Sequence, residues 1–106
     1  MIPYADFKKL DLRVGRILDV SVHPRADKLL VLKIDVGAEV KTIVAGIKGH
    51  YEREELIDKK VVVITNLEQR ELRGIKSEGM ILAAVKDDKV ILITPDEDIK
   101  EGAVVQ

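Results

Sequence analysis

Apolar and polar residues alternate over long stretches of this chain. Leu12, Val14, Leu18, Val20 and Val22 fall on one face of an extended segment, with Arg13, Asp19, Ser21 and His23 on the other. That period of two predicts a long, half-buried strand over 12–22. Gly15 lies inside it, where glycine commonly marks a bulge or a sharp barrel bend. Leu30, Leu32, Ile34 and Val36 repeat the alternation and predict a second strand. A turn at Gly37 leads to a third over 41–45. The run VVVIT over 61–65 is unbroken, as expected of a strand buried on both faces or closing a barrel. Segments 80–85 and 90–93 predict a further pair across a tight Asp87-Asp88 turn, and 103–105 a last short strand. Helical character is confined to one turn over 5–10, with Asp6 as its cap, and to 50–56. Many short strands and little helix predict an all-β chain folded as one small barrel, a single domain over 1–106.

Composition narrows the chemistry. The chain has 106 residues and no cysteine, so disulfides and thiolate metal sites are excluded. Its two histidines, His23 and His50, stand alone, without a partner at ligand spacing, and no metal or other cofactor is expected. No Ser/His/Asp set, cleft carboxylate pair or phosphate-binding loop appears, so no catalytic residue is assigned. His23, followed by Pro24, reads as structural. No stretch reaches the roughly 18 apolar residues of a membrane span, and the N-terminus lacks an apolar signal core. No membrane partner is expected, and the cytoplasm is the expected compartment. The net charge is −1, yet its distribution is uneven. Residues 8–33 hold seven basic and three acidic side chains, whereas 86–106 hold three and six. Such polarity can steer a polyanion to one side of a nearly neutral protein.

The segment 66–84, NLEQRELRGIKSEGMILAA, breaks the apolar pattern most sharply. It carries Arg70, Arg73 and Lys76, jointed by Gly74 and Gly79 and interleaved with Glu68, Glu71 and Glu78. Guanidinium groups can take phosphate oxygens bidentately, and glycines let a ligand backbone approach closely. Asn66 ends the preceding strand with an amide available to a ligand or a turn. Ser77 offers a hydroxyl to a phosphate, a 2′-OH or a neighbouring amide. Lys28 and Lys33 extend the cationic set, with Arg13 a weaker member. Tyr4, Phe7 and Tyr51 are the only aromatics, too few for a base-stacking platform. An RNA ligand would therefore be read by backbone shape, which suits a structured RNA. Gly46-Ile47-Lys48-Gly49 follows a strand and reads as a turn.

The words of that segment, NL, LRG and SxGM followed by ILAA, together with HPxADKL at 23–29, carry a resemblance that covers about 6–104. They resemble the tRNA-binding domain found at the end of bacterial methionyl-tRNA synthetases, in the free-standing structure-specific tRNA-binding protein and in the endothelial monocyte-activating-polypeptide-like synthetase cofactors. The resemblance implies a five-stranded oligonucleotide-binding (OB) fold with short helices and a C-terminal extension. It implies a non-catalytic module, a free-standing beta subunit or trans-acting cofactor of methionyl-tRNA synthetase, that binds tRNA as a homodimer. It assigns Asn66, Ser77 and Met80 to the tRNA patch and makes Arg73 the leading phosphate contact. Val104 and Val105 are candidates for the dimer interface. Where the family commonly reads NLxPRKLRG, this chain has Gln69 for the proline and Glu71 for the lysine. The second exchange shifts the local charge by two units and implies fewer phosphate contacts. A related family of peptide-binding export chaperones shares the barrel and dimer. It differs at the first turn and generally lacks the Gly-Met pair, so Ala26-Asp27-Lys28-Leu29 and Gly79-Met80 favour the tRNA branch.

Overall fold

The order of elements follows the alternation closely. A computed structural model describes residues 1–106. One helical turn, α1 (Tyr4–Phe7), precedes β1 (Leu12–Val22), β2 (Leu30–Asp35) and β3 (Val40–Ala45). A second turn, α2 (Arg53–Leu56), leads to β4 (Lys60–Ile64). Then come β5 (Arg70–Leu72), β6 (Ile75–Ser77), β7 (Met80–Ile81), β8 (Ala83–Lys86), β9 (Lys89–Leu92) and β10 (Val104–Val105).

Five strands lie in the order β3-β2-β1-β4-β7, each antiparallel to its neighbour. The remaining seam joins β3 to the chain between β6 and β7. Side chains close it. Val44 N–H donates to Ser77 Oγ at 3.0 Å and Thr42 N–H to Glu78 Oε1 at 2.8 Å. Glu78 N–H returns a bond to the Thr42 carbonyl at 2.8 Å. The result is a nearly closed, OB-like barrel with two short helices. Hairpin β5–β6 projects from the connection between β4 and β7. After hairpin β8–β9 the tail returns, and β10 pairs with the start of β1 as a C-terminal extension.

The barrel interior is aliphatic. Ile17, Leu32, Ile34, Ile43, Leu56, Val61 and Val63 are fully buried there. Each such side chain contributes about 1.5–3 kcal/mol relative to an exposed one. A second, smaller cluster of Leu12, Val62 and Ile64 packs against Leu82 and Val105. Alternate residues of β4 thus enter two different cores, which is why its sequence is apolar without a break.

Local details correct the simple alternation. The β1–β2 register slips between Ile17 and Asp19, leaving Leu18 as a bulge residue. Ile17 and Val20 join the main core, Leu12 joins the second cluster, and Leu18 and Val22 are exposed. The extra residue shifts the phase of two-residue alternation, so one strand serves both sides of the wall. Gly15 is not the bulge. A Cβ there would stand 2.6 Å from Ile34 Cγ2. The glycine allows β2 to approach, as glycine in a strand often does. Asp6 does not cap α1, whose N-cap is Pro3, and instead pairs with Lys9. In α2, Glu52 and Glu55 form a reciprocal capping box, so the acidic stretch starts a helix rather than merely solvating one.

Candidate nucleic-acid interface

Within segment 66–84, β5 and β6 form a tight hairpin. Arg70, Glu71 and Leu72 face Ser77, Lys76 and Ile75. The connecting residues, Arg73 and Gly74, have φ of +53° and +94°. Left-handed values at both central positions define a type I′ turn, the two-residue connection that matches strand twist. Arg73 therefore stands at the hairpin tip.

The turn at 23–29 faces that tip. His23 is only 2% exposed and joins the two. Its Nδ1 accepts from Arg25 N–H at 3.0 Å, while Nε2 lies 2.8 Å from the Leu72 carbonyl. An acceptor at Nδ1 places the proton on Nε2, which donates to Leu72. His23 N–H in turn donates to the Leu29 carbonyl at 3.1 Å. Arg25, Lys28 and Arg73 line one open cleft of about 500 Å³ with Asp27 and Leu72. Arg25 Nη1 lies 3.7 Å from where a Cβ on Gly74 would stand.

On the other side of the hairpin, Leu67, Arg70, Leu72 and Met80 line a small slot of about 60 Å³ against Val44, with Glu68 at its border. Met80 is 43% exposed, an unusual position for methionine in a barrel strand. Lys76 is exposed on β6, and Lys33 is exposed on β2, where its ammonium donates to Thr42 Oγ1 at 2.6 Å. None of Arg25, Lys28, Lys33, Arg70, Arg73 and Lys76 forms an ion pair.

The structure gives two residues of the expected patch other work. Ser77 is 5% exposed. Its hydroxyl accepts from Val44 and donates to the Gly79 carbonyl at 3.0 Å, so of its three anticipated partners it has the neighbouring amide. Asn66 Oδ1 accepts from Asp11 N–H at 2.8 Å, and its Nδ2 donates to the Lys9 carbonyl at 2.7 Å. It ties the end of α1 to the end of β4, and lies in a mixed-charge cleft with Asp11, Arg13 and Lys41 rather than beside Arg73. Arg13 is bound there to Asp11 and the Gly102 carbonyl. Sequence reading passed over Arg25. Its signal was a lone cation in the turn that also carries His23 and Lys28, and only the fold sets it against the hairpin tip.

Comparison with known proteins identifies the relatives of this barrel. Residues 12–104 match the family described as "Putative tRNA binding domain". The chain is 50% identical over 105 residues to methionine–tRNA ligase of Pyrococcus horikoshii, covering 99% of this chain and 14% of that enzyme. It thus spans a small part of the curated relatives it matches. A MetRS-related protein from Pyrococcus horikoshii superposes with a TM-score of 0.93 at 34% identity, covering 100% of this chain and 98% of the other. The CsaA chaperone protein of Picrophilus torridus superposes with a TM-score of 0.93 at 37% identity, covering 100% of both chains. A family match across nearly all of the barrel, together with relatives at half identity, decides the assignment: the chain belongs to the tRNA-binding-domain family, as a module homologous to a part of methionyl-tRNA synthetase.

Proposed function

We propose that this chain is a non-catalytic tRNA-binding module that acts in the cytoplasm beside a methionyl-tRNA synthetase, in trans or as its beta subunit. One observation carries the reading. The cations of the hairpin and the facing turn, Arg70, Arg73, Lys76 and Lys28, are exposed and free of acidic partners. Phosphates release counterions when they meet such groups, and that release supplies a large share of nucleic-acid affinity. Lys33 extends the same cationic set, and Met80 offers an apolar contact at a base or ribose. Ser77 supports the patch from behind by fixing the seam, and Asn66 fixes the N-terminal turn. Raising the local tRNA concentration would strengthen a synthetase's own binding through effective concentration. The superposition of a MetRS-related protein across the whole domain supports the link to a synthetase.

A homodimer is part of the proposal. α1 buries none of its residues, although it contains Tyr4 and Phe7, and Val104 is 53% exposed on β10. A second copy covering these groups would also double the usable basic surface. Sedimentation equilibrium at micromolar concentration checks this, and a mass equal to one chain removes the dimer.

The RNA reading is tested by anisotropy titration of bulk tRNA at about 50 and 200 mM salt, with single-stranded RNA as competitor. Saturable, salt-weakened binding that resists the single strand and is weakened about tenfold in Arg73→Ala is expected. Absence of binding at tens of micromolar in low salt rejects it. The likeness to the CsaA chaperone protein then brings forward the second reading, a peptide-binding dimer of export-chaperone type. Suppressed aggregation of an unfolded preprotein, unaffected by Arg73→Ala, is the result that reading requires.

A further inference from the structure

Arg73 holds a costly position. The first central residue of a type I′ turn favours Asn, Asp or Gly, and few other side chains adopt its left-handed backbone. The facing turn delivers a second guanidinium to the same place, with Arg25 Nη1 3.7 Å from the Cβ position of Gly74. Lys28 lines the same cleft, and Asp27, the one acid there, pairs with none of the three. His23 locks the two turns together through Arg25 N–H and the Leu72 carbonyl. Three cations lining one cleft with no paired carboxylate repel one another. An anion the size of a phosphate relieves that repulsion and accepts planar forks from two sides.

The geometry points to a two-arginine clamp, Arg25 from the turn and Arg73 from the hairpin tip, that grips one backbone phosphodiester of RNA, with His23 as the positioning residue that sets their separation. The clamp rests on the RNA-binding reading above and adds a contact that the family motif leaves open, since Arg25 is the variable residue of HPxADKL. It also bears on Glu71. The hairpin strand has an acid where the family pattern has lysine, and the facing turn returns a cation to the hairpin.

The test is a double-mutant cycle in tRNA titrations, using wild type, Arg25→Ala, Arg73→Ala and the double variant between about 50 and 200 mM salt. Each single change is expected to weaken binding about tenfold at low salt, and the double to weaken it by less than the product. The salt slope of the double should fall by about one unit, the share of one phosphate. Arg25→Lys should recover only part of the affinity, because an ammonium lacks the fork. In a His23→Gln background that still melts cooperatively, the coupling between the two arginines should vanish. If that variant does not fold, the arginine variants carry the test alone. A double variant that loses about two slope units with multiplicative affinities assigns two separate phosphates and overturns the clamp. Arg25→Ala at wild-type affinity and slope, while Arg70→Ala and Arg73→Ala weaken binding, also overturns it but leaves the RNA reading intact. No saturable tRNA binding by the wild type overturns both.

Discussion

The two ends of β1 treat positive charge in opposite ways. At its start, cations are neutralised. Arg13 pairs with Asp11 at 2.8 Å, Arg16 with Asp58 at 2.9 Å, and Lys60 with Asp98 at 3.1 Å and Glu101 at 3.4 Å. The Lys60 pairs strap the C-terminal tail onto β4, and Arg16, 3.6 Å from Glu101, ties it to β1, aided by Gly102 N–H donating to the Val14 carbonyl at 2.8 Å. Past the other end of β1, the turn and hairpin hold Arg25, Lys28, Arg70, Arg73 and Lys76 with no acid in pairing distance. The acids of the hairpin, Glu68 and Glu71, pair with none of them. Net charge conceals this division. An internally paired cation has little left to offer a phosphate, whereas an unpaired one keeps its full field for a ligand.

The contrast can be broken from either side. Reversing charge in the free region, with Lys28→Glu and Arg70→Glu together, should weaken tRNA binding by about a hundredfold at low salt and flatten the salt slope by about two units. Thermal stability should not move, because neither side chain is buried or paired. Ser77→Ala attacks the support instead of the contact. It strands the buried Val44 N–H and should cost about 1–3 kcal/mol in a denaturant titration. Ser77→Thr, which keeps the hydroxyl, should lose less if the extra methyl fits.

Sharpening the contrast should have a smaller effect. Glu71→Lys adds a cation to the hairpin and should raise tRNA affinity a few-fold, with the salt slope steeper by about one unit if the new lysine reaches a phosphate. The paired end should answer to pH. The Thr65 hydroxyl, and then the Arg13 guanidinium, hold the Asp11 carboxyl below its ordinary range. The backbone N–H at Glu101, and then Lys60, do the same for Glu101 against the opposing effect of burial. Burial tends to lower Lys60, but bonds to Asp98 and Glu101 overcome it and hold the ammonium above its usual value. Carboxylates depressed in the folded state bind fewer protons than in the unfolded chain. Their stabilisation is therefore full above about pH 5, where the unfolded carboxyls are also ionised, and is lost as pH falls through the folded values. For Lys60 the sign reverses, and stabilisation is lost as pH rises through its raised value. Melting curves should show the acid limb, and Asp11→Asn or Glu101→Gln should flatten it.

Part of this was legible along the chain. Alternation marks β1, β2 and β3, the apolar run marks β4, and turn residues mark Gly37 and Asp87-Asp88. These signals are local. A side chain's period of burial is imposed by its own strand, and a turn is made by its own residues. The barrel itself also follows, since short half-buried strands must pair and cover one another. The cationic character of the hairpin was visible because Arg70, Arg73 and Lys76 are close neighbours in sequence.

What lay beyond the sequence depends on residues far apart meeting in space. The bulge at Leu18 arises from pairing with β2 and redirects Ile17 inward. Ser77 and Asn66 look like ligand groups in isolation, but each holds hydrogen bonds across the fold, Ser77 with Val44 and Asn66 with Lys9 and Asp11. Arg25 becomes a candidate contact only because His23 holds its turn against a carbonyl 49 residues away. The sequence by itself determined the main barrel strands, their turns and the presence of a basic segment after the fourth of them, since covalent neighbours dictate these. Only the tertiary structure decided which cations are spent on internal pairs and which remain unpaired, because an ion pair is a property of two side chains and the distance between them.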